Sequence, residues 1–449
     1  MKILKYILIL FTILSLSGCG SVSECEINNG IVCYDKKDEL YLLEENASLL
    51  VAVPTSAFGQ ALVELWDNNF PALAGVIQYE VVDQRLAQYY LHNPRYDLIY
   101  ISQYELPLIM DMVQVVDEDN VEAFSPYLVE GFAELINSNG FIFTPIAYEG
   151  FLFAYDETLL NEANISLNDG NSDGLPDSID SWEKIFKRIT VQKDQLIELN
   201  LQNFFPLALN EKYSFYPMLT AGGWQMFDDL KADEPGFNSL AFKSSLRFIY
   251  EMGKYDWNLK QEKTSKDYVF TYEEVLEDQS SPLTMISSWM FYNEYEAINK
   301  ANYRFAHMPS YDGNVLSPLL DIEGYAISAK TPYPNIANQL LRLVRSQQGL
   351  QWLIDNTDIP LMIKIDDKLD IEIKDQNKYD MIKAYAYSAE EPLIALSANT
   401  SIRAWQMYYD IDWLSVVKSL YDHDITVSEA QAQIIELANQ WLIDKGEIN

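Results

Sequence analysis

Asp169, Asn171, Asp173 and Asp177 place oxygen ligands close together in the run Asp169-Gly-Asn-Ser-Asp-Gly-Leu-Pro-Asp177. Counted from Asp169 they fall at positions 1, 3, 5 and 9. Gly174 takes the sixth place, where a calcium loop turns sharply, and Leu175 the seventh, where a backbone carbonyl serves. Asp180 takes the twelfth, one methylene shorter than the usual Glu. It is also placed to cap a helix starting near Ser181, with Glu183 as its partner. Calcium is a hard cation that gathers six to eight oxygens, and this spacing supplies them. The competing reading is a metal-free turn rich in Asp and Asn. If calcium binds, the expected role is structural, pinning a loop. Other chemistry is scarce. His92, His307 and His423 are scattered singly, and the chain contains no H-E-x-x-H signature, phosphate loop or G-x-S-x-G elbow.

The first residues form a second motif. Lys2 and Lys5 precede an apolar run over residues 6–16, and small residues lead into Leu16-Ser17-Gly18-Cys19. That order predicts a signal peptide over residues 1–18, with an apolar run too short to span a membrane comfortably. The motif resembles bacterial lipoprotein signals. The resemblance implies a diacylglycerol on the Cys19 thiol, and a protein held on the extracellular face of the cell membrane. Cleavage before Cys19 removes Lys2 and Lys5 and takes the formal charge from −36 to −38. Such a chain is repelled by nucleic acid and anionic headgroups, so the lipid must do the anchoring. Residues 19–45 carry no clear period and read as a flexible tether spanning about 25–30 Å. Within it Cys25 and Cys33 are either a disulfide closing a small loop or two free thiols.

The remaining 400 or so residues are too many for one compact core and predict two domains. Ser48–Val53, Val76–Val82 and Tyr96–Ser102 read as strands, with helices at Phe58–Asn68 and Asp83–His92 between them. Strand alternating with helix predicts a parallel, helix-covered sheet. A helical region spans about 121–138, and two apolar runs follow, Phe141–Ile146 and Phe151–Tyr155. Further on, Ser239–Tyr255 and Tyr272–Glu277 read as helices, and Leu283–Ser287 and Gly324–Ser328 as strands. Pro334–Trp352 reads as a helix broken near Gly349, and the chain is helical from Ile402 onward. Trp66 and Trp352 have apolar neighbours at helical spacing and are expected in the core.

The stretch Thr144-Pro-Ile-Ala-Tyr-Glu-Gly-Phe-Leu-Phe-Ala-Tyr-Asp-Glu-Thr-Leu-Leu160 resembles the first interlobe crossing of the maltose- and oligosaccharide-binding proteins of ABC importers, the family 1 type of extracellular solute-binding proteins. Ser181-Trp182-Glu183 is similar to their "TWEE" helix start. Glu211-Lys-Tyr-Ser-Phe-Tyr-Pro217 with Ala221-Gly-Gly223 is similar to their "EPYFTWP…ADGG" segment. Leu283–Trp289, Asp321–Ser328 and Ile402-Arg-Ala-Trp405 resemble their strand-then-Trp element, returning strand and late aromatic helix start. The pieces keep the family order over residues 46–445.

The resemblance implies a type II periplasmic-binding-protein fold. Each α/β lobe would be a mostly parallel sheet flanked by helices, and three crossings would join the lobes. Lobe 1 would comprise residues 46–147 and 308–358, and lobe 2 residues 148–307 and 359–449. It further implies a monomer that performs no chemistry, binds a carbohydrate between the lobes and delivers it to a membrane permease. Glu149, Glu211, Tyr213, Trp289 and Trp405 match the ligand-contacting positions. A carboxylate can accept from two neighbouring hydroxyls, and an aromatic face covers the C–H side of a sugar ring. Ser56-Ala57 replaces the family's acidic-basic pair, and Ile101 and Tyr104 replace its Trp and acidic residue. The first-lobe half of the site is therefore not that of a maltodextrin binder. The alternative is a surface-anchored carbohydrate-active hydrolase, which needs two carboxylates facing across a bond.

Overall fold

The computed structural model describes residues 32–82, 87–92, 95–124, 141–167, 201, 208–226, 235–253, 271–290, 292–364, 370–390 and 402–446. Cys19, Cys25 and the whole Asp169–Asp180 loop lie outside them. Among the described residues no helix is long and apolar enough to cross a membrane.

Strands β3 (Leu49–Val53), β4 (Ile77–Val81) and β5 (Leu98–Ser102) pair in parallel around β3. Between β3 and β4 the Ser56–Asn69 helix crosses over, with Thr55 accepting from Phe58 N as its N-cap. Its buried stripe (Phe58, Leu62, Leu65 and Trp66) faces the sheet. Both faces of β3 and β5 are covered, which is why LLVAV and LIYIS read as unbroken apolar runs. The sheet continues through β11 (Leu320–Ile327), β6 (Thr144–Asp156) and β7 (Leu283–Ser287), and β8 (Tyr303–Ala306) also pairs with β6.

Parallel pairing stops at β5. The pairings β11·β5, β11·β6, β6·β7 and β6·β8 are all antiparallel. The sheet is therefore mixed: the parallel pairing that the strand–helix alternation predicts holds for β3, β4 and β5, whereas the resemblance implies mostly parallel pairing in each lobe. The reason is topological. Strand β6 leaves the first lobe for the second, and β11 returns beside it in the opposite direction, so both pairings of β11 must be antiparallel.

One core lies between the first sheet and the Ser56–Asn69, Pro334–Arg345 and Gln347–Asn356 helices, around Trp66, Tyr100, Tyr325 and Leu340. A larger one runs from the opposite face of that sheet into the second lobe, around Phe153, Trp224, Phe248 and Trp413. The predicted helix break falls at Ser346, whose hydroxyl caps Gly349 N, rather than at Gly349 itself. Trp66 is fully buried, and Trp352 is half-buried with its indole N–H donating to Ala61 O at 2.9 Å. The hairpin of β9 (Ser310–Tyr311) and β10 (Asn314–Val315) packs on second-lobe residues. Tyr311 lies 4.9 Å from the Phe248 ring, and Ser317 N donates to Thr220 Oγ1 at 2.8 Å. The chain thus stays on the second lobe past residue 308 and re-enters the first through β11.

Residues 33–44, expected as part of a flexible tether, form a docked hairpin instead. Strands β1 (Tyr34–Asp35) and β2 (Leu40–Tyr41) pair antiparallel, and Cys33 is disulfide-bonded. The hairpin sits on the Pro334–Arg345 helix. Cys33 N donates to Asn335 Oδ1 at 2.7 Å, Tyr41 N to Gln339 Oε1 at 2.9 Å, and the Arg342 guanidinium lies 4.6 Å over the Tyr34 ring. Pro334 starts that helix, so the next backbone N–H groups lack partners within it. The Glu44 carboxylate supplies them, accepting from Asn335 N at 2.8 Å and Ile336 N at 3.0 Å. Its charge also suits the positive end of the helix. These partners stand some 290 positions away in sequence, so the segment shows no local period. Glu44→Ala is expected to cost about 1–2 kcal/mol, the usual scale for losing a helix cap. Denaturant titration checks this, and an unchanged midpoint would mean the docked hairpin carries no stability.

Candidate functional site

Strand β6 is 13 residues long, about 40 Å when extended. Its first half pairs with β11 in the first sheet, and its second half with β7 and β8 in the second lobe. Gly150 sits at the change of partner with φ +150°, which side-chain-bearing residues rarely adopt. A Cβ there would meet Leu319 O at 2.6 Å. Across the ribbon, a Cβ on Gly324 would meet Thr144 O at 2.1 Å. Two Glu-Gly dipeptides, Glu149-Gly150 and Glu323-Gly324, therefore mark the waist on adjacent strands. A third segment runs beside them. Tyr148 N donates to Pro360 O at 2.9 Å, and Met362 N to Ile146 O at 2.8 Å.

At this waist lies a cleft of about 510 Å³. Pro54, Thr55 and Ala57 line it from the end of β3, and Ser288, Trp289, Tyr292 and Glu294 from the second lobe. Tyr148, Glu149 and Glu323 line it from the crossing strands, and Thr357–Pro360 from the third segment. Asp321 stands opposite Glu149 in the β11·β6 register, and strand alternation puts Glu323 on the same face. Three carboxyl side chains thus converge on one side of the ribbon. Ser102 Oγ donates to Asp321, tying the first lobe to that group. Glu323 is 8% exposed; burial, and then the Glu323 charge, push the Tyr100 phenol well above its ordinary range.

Trp289 is 38% exposed, in contrast to the buried Trp66, Trp224 and Trp413. Its ring is held edge-on by Phe151, at 5.2 Å and 70°, and tilted against Tyr213 at 5.7 Å. Tyr213 OH donates to Leu319 O at 3.0 Å. Burial, and then the Glu149 and Asp321 charges, raise its phenol pKa well above the ordinary value. The Tyr213 hydroxyl therefore stays a donor at physiological pH. Tyr385, on the Gln376–Glu390 helix, stacks on Tyr148 at 5.4 Å and 16° and donates to Gly150 O. That helix had no counterpart in the sequence reading, yet it braces the waist.

Glu149 and Trp289, both expected from the sequence, line the cleft together. Tyr213 backs Trp289 rather than lining the cleft itself. Glu211 is the N-cap residue of the Lys212–Leu219 helix, where burial raises its carboxyl pKa, and it is not among the residues that line the cleft. Between them Lys212 Nζ donates to Tyr409 O and Ile411 O at 2.7 Å each. It thereby closes the end of the Ile402–Asp410 helix that carries Trp405. The Trp405 side chain lies outside the described residues. So do the expected calcium ligands Asp169, Asn171, Asp173, Leu175, Asp177 and Asp180.

Glu323, Tyr148, Tyr292 and Thr357–Pro360 were not singled out from the sequence. For Glu323 a signal was present, since it repeats the Glu-Gly pair of Glu149-Gly150. Residues 357–360 show no pattern of their own and become part of the site only through the fold.

No protein-family model matches the chain, and no curated protein matches its sequence. Among solved structures, the fold is similar to a cyclo/maltodextrin-binding protein complexed with maltotetraose. The TM-score is 0.64 over 89% of this chain and 98% of that one, at 14% identity. At such identity the likeness is one of fold, and the chain has the two-lobed α/β architecture of that maltodextrin-binding protein.

Proposed function

We propose that this protein is the lipid-anchored substrate-binding subunit of an ABC importer, and that it takes an oligosaccharide into the interlobe cleft and delivers it to a membrane permease. One observation carries the reading: a part-exposed indole, Trp289, shares a cleft with Glu149 where both lobes and all three crossings meet. An indole face suits the apolar side of a sugar ring, and a carboxylate suits adjacent hydroxyls. The neighbour's maltotetraose complex supports the same ligand class. Bending at the waist would close the lobes over the ligand and present a changed surface to the permease.

The test is a thermal-shift screen of the full chain in detergent against an oligosaccharide panel, with each sugar recovered afterwards. A binder gains stability with excess ligand and returns the sugar intact. Shortened products would favour the hydrolase, and no shift with any sugar would end the carbohydrate reading.

Two further proposals stand on sequence motifs. Cys19 carries the lipid, so Cys19→Ser should move the protein from the membrane to the soluble fraction. Persistent membrane fractionation would place the anchor elsewhere. The Asp169–Asp180 loop holds structural calcium. Chelation should lower the melting temperature of the wild type but not of Asp169→Ala/Asp173→Ala, and equal responses would remove the site.

A further inference from the structure

We infer that Lys378 is a positioning residue of the cleft: it holds the Thr357–Pro360 wall from behind and so presents the Asp358 carboxylate to the ligand. This rests on the carbohydrate-binding role proposed above and adds two residues to it. Thr357, Asp358, Ile359 and Pro360 line the cleft in succession. They form neither helix nor strand, so no regular backbone ladder fixes them. At the far end Pro360 O accepts from Tyr148 N at 2.9 Å. At the near end the Lys378 ammonium donates to Thr357 O, and to Ile354 O at 2.7 Å. Ile354 O is one of the last four carbonyls of the Gln347–Asn356 helix, which lack partners within it. One ammonium thus ties the end of that helix to the start of the wall, and its charge suits the negative end of the helix.

Lys378 is placed for this by the Gln376–Glu390 helix, which is fastened on its other sides. Arg304 Nε on β8 donates to Asp380 Oδ2 at 2.9 Å, and Asn377 Nδ2 donates to Glu296 Oε1 at 3.2 Å. Both contacts tie the helix to the second lobe. One turn beyond Lys378, Met381 lines the cleft and Ile382 is buried in the first-lobe core. Two turns beyond, Tyr385 donates to Gly150 O. The lysine therefore reaches the wall from a firmly held base. Its side chain is only 14% exposed. Burial lowers its pKa, and the Asp358, Asp375 and Asp355 charges oppose that fall. A buried ammonium is unfavourable unless its donors are used, and here two carbonyls use them.

Asp358 is the group that this wall turns outward. Its side chain is 91% exposed where it lines the cleft, and the Lys378 ammonium, 3.8 Å away, is too distant for a hydrogen bond. The carboxylate oxygens can therefore accept from ligand hydroxyls, two of which one carboxylate can bridge. The wall around it has little slack. Pro360 restricts Ile359 to extended backbone, and Ile359 is half-buried against the first-lobe core. A shift of Thr357 O is therefore passed directly to Asp358.

The test is hydrogen exchange and calorimetry on the full-length protein in detergent. Without ligand, Lys378→Met should raise amide exchange across residues 354–363 about ten-fold, and Lys378→Arg, which keeps the donors, should restore most of the protection. Calorimetry uses maltotetraose, cellotetraose, xylotetraose and the best binder of the oligosaccharide panel. For the sugar that the wild type binds, Lys378→Met should lose about ten-fold in affinity and Lys378→Arg less than about three-fold. Asp358→Asn should also weaken binding severalfold, with exchange and melting unchanged. Lys378→Gln, which keeps an amide donor, takes the place of Lys378→Met if that variant does not fold. Unaltered exchange would overturn the hold on the wall, whatever the sugar. Raised exchange with unaltered affinity, or unaltered affinity in Asp358→Asn, would overturn the inference and leave the carbohydrate reading standing. Failure of every sugar on the wild type would overturn the carbohydrate reading and the ligand role of the wall together.

Discussion

Gly150→Ala is expected to destabilise the protein by about 2–4 kcal/mol and to impair ligand binding in whatever still folds. Two costs combine at this position. The backbone holds φ +150°, and an added Cβ would lie 2.6 Å from Leu319 O and 2.9 Å from Leu320 Cδ2. The Leu319 carbonyl, as backbone, cannot move cheaply. Leu319 O already accepts the Tyr213 hydroxyl, and Gly150 O accepts that of Tyr385. Relief would require β6 and β11 to part where the lobes join. Glu149, one residue away, would be re-aimed with them. Gly313→Ala is the matched control, since φ is +82° in the β9–β10 turn but no atom lies within 4 Å of the added Cβ. It should cost about 1 kcal/mol, the backbone part alone. Denaturant titrations of the two variants separate the effects. If Gly150→Ala is no worse than Gly313→Ala, the close packing at the waist is not what demands glycine.

Trp289→Ala is expected to weaken oligosaccharide binding by about 1–3 kcal/mol, the scale for losing a large apolar contact surface. Stability should fall much less than in Trp66→Ala, where a fully buried side chain is removed at about 3–5 kcal/mol. Glu149→Gln should also weaken binding, because hydrogen bonds to a charged acceptor contribute about 1.5–3 kcal/mol against about 1 for a neutral one. The readout is calorimetry and melting on the same preparations. Should Trp289→Ala bind sugar as well as the wild type while remaining folded, the indole is packing and the ligand sits elsewhere. A large fall in melting temperature for Trp289→Ala would likewise return the residue to the core. Its part-exposed ring argues against that outcome, since the face turned to the cleft has no protein to leave behind.

The local part of this fold was legible because each signal is carried by neighbouring residues. Alternation of LLVAV, the amphipathic Ser56–Asn69 stretch, IQYEV and LIYIS announces strand, helix, strand and strand, and the structure places them within a residue or two. Caps behaved the same way. Thr271 with Glu274 and Thr426 with Glu429 form capping boxes over three-residue spacings. Two apolar runs, Phe141–Ile146 and Phe151–Tyr155, became the single strand Thr144–Asp156. The polar Glu149-Gly150 pair between them is the point where one strand changes partners.

What the tertiary structure alone decided has one physical cause: the partners are far apart in sequence. Antiparallel pairing of β11 with β5 and β6 follows from the return of the chain, not from any residue pattern. Glu44 reads as one more acidic residue until it meets the start of the Pro334–Arg345 helix. Residues 357–360 carry no motif, yet they line the cleft because Pro360 O takes the Tyr148 N–H. Trp289 and Tyr213 could each be named from a resembling segment. Only packing shows that the first faces the cleft while the second stands behind it. Residue types thus determined which groups could recognise a sugar, and long-range contacts determined which of them share a cavity.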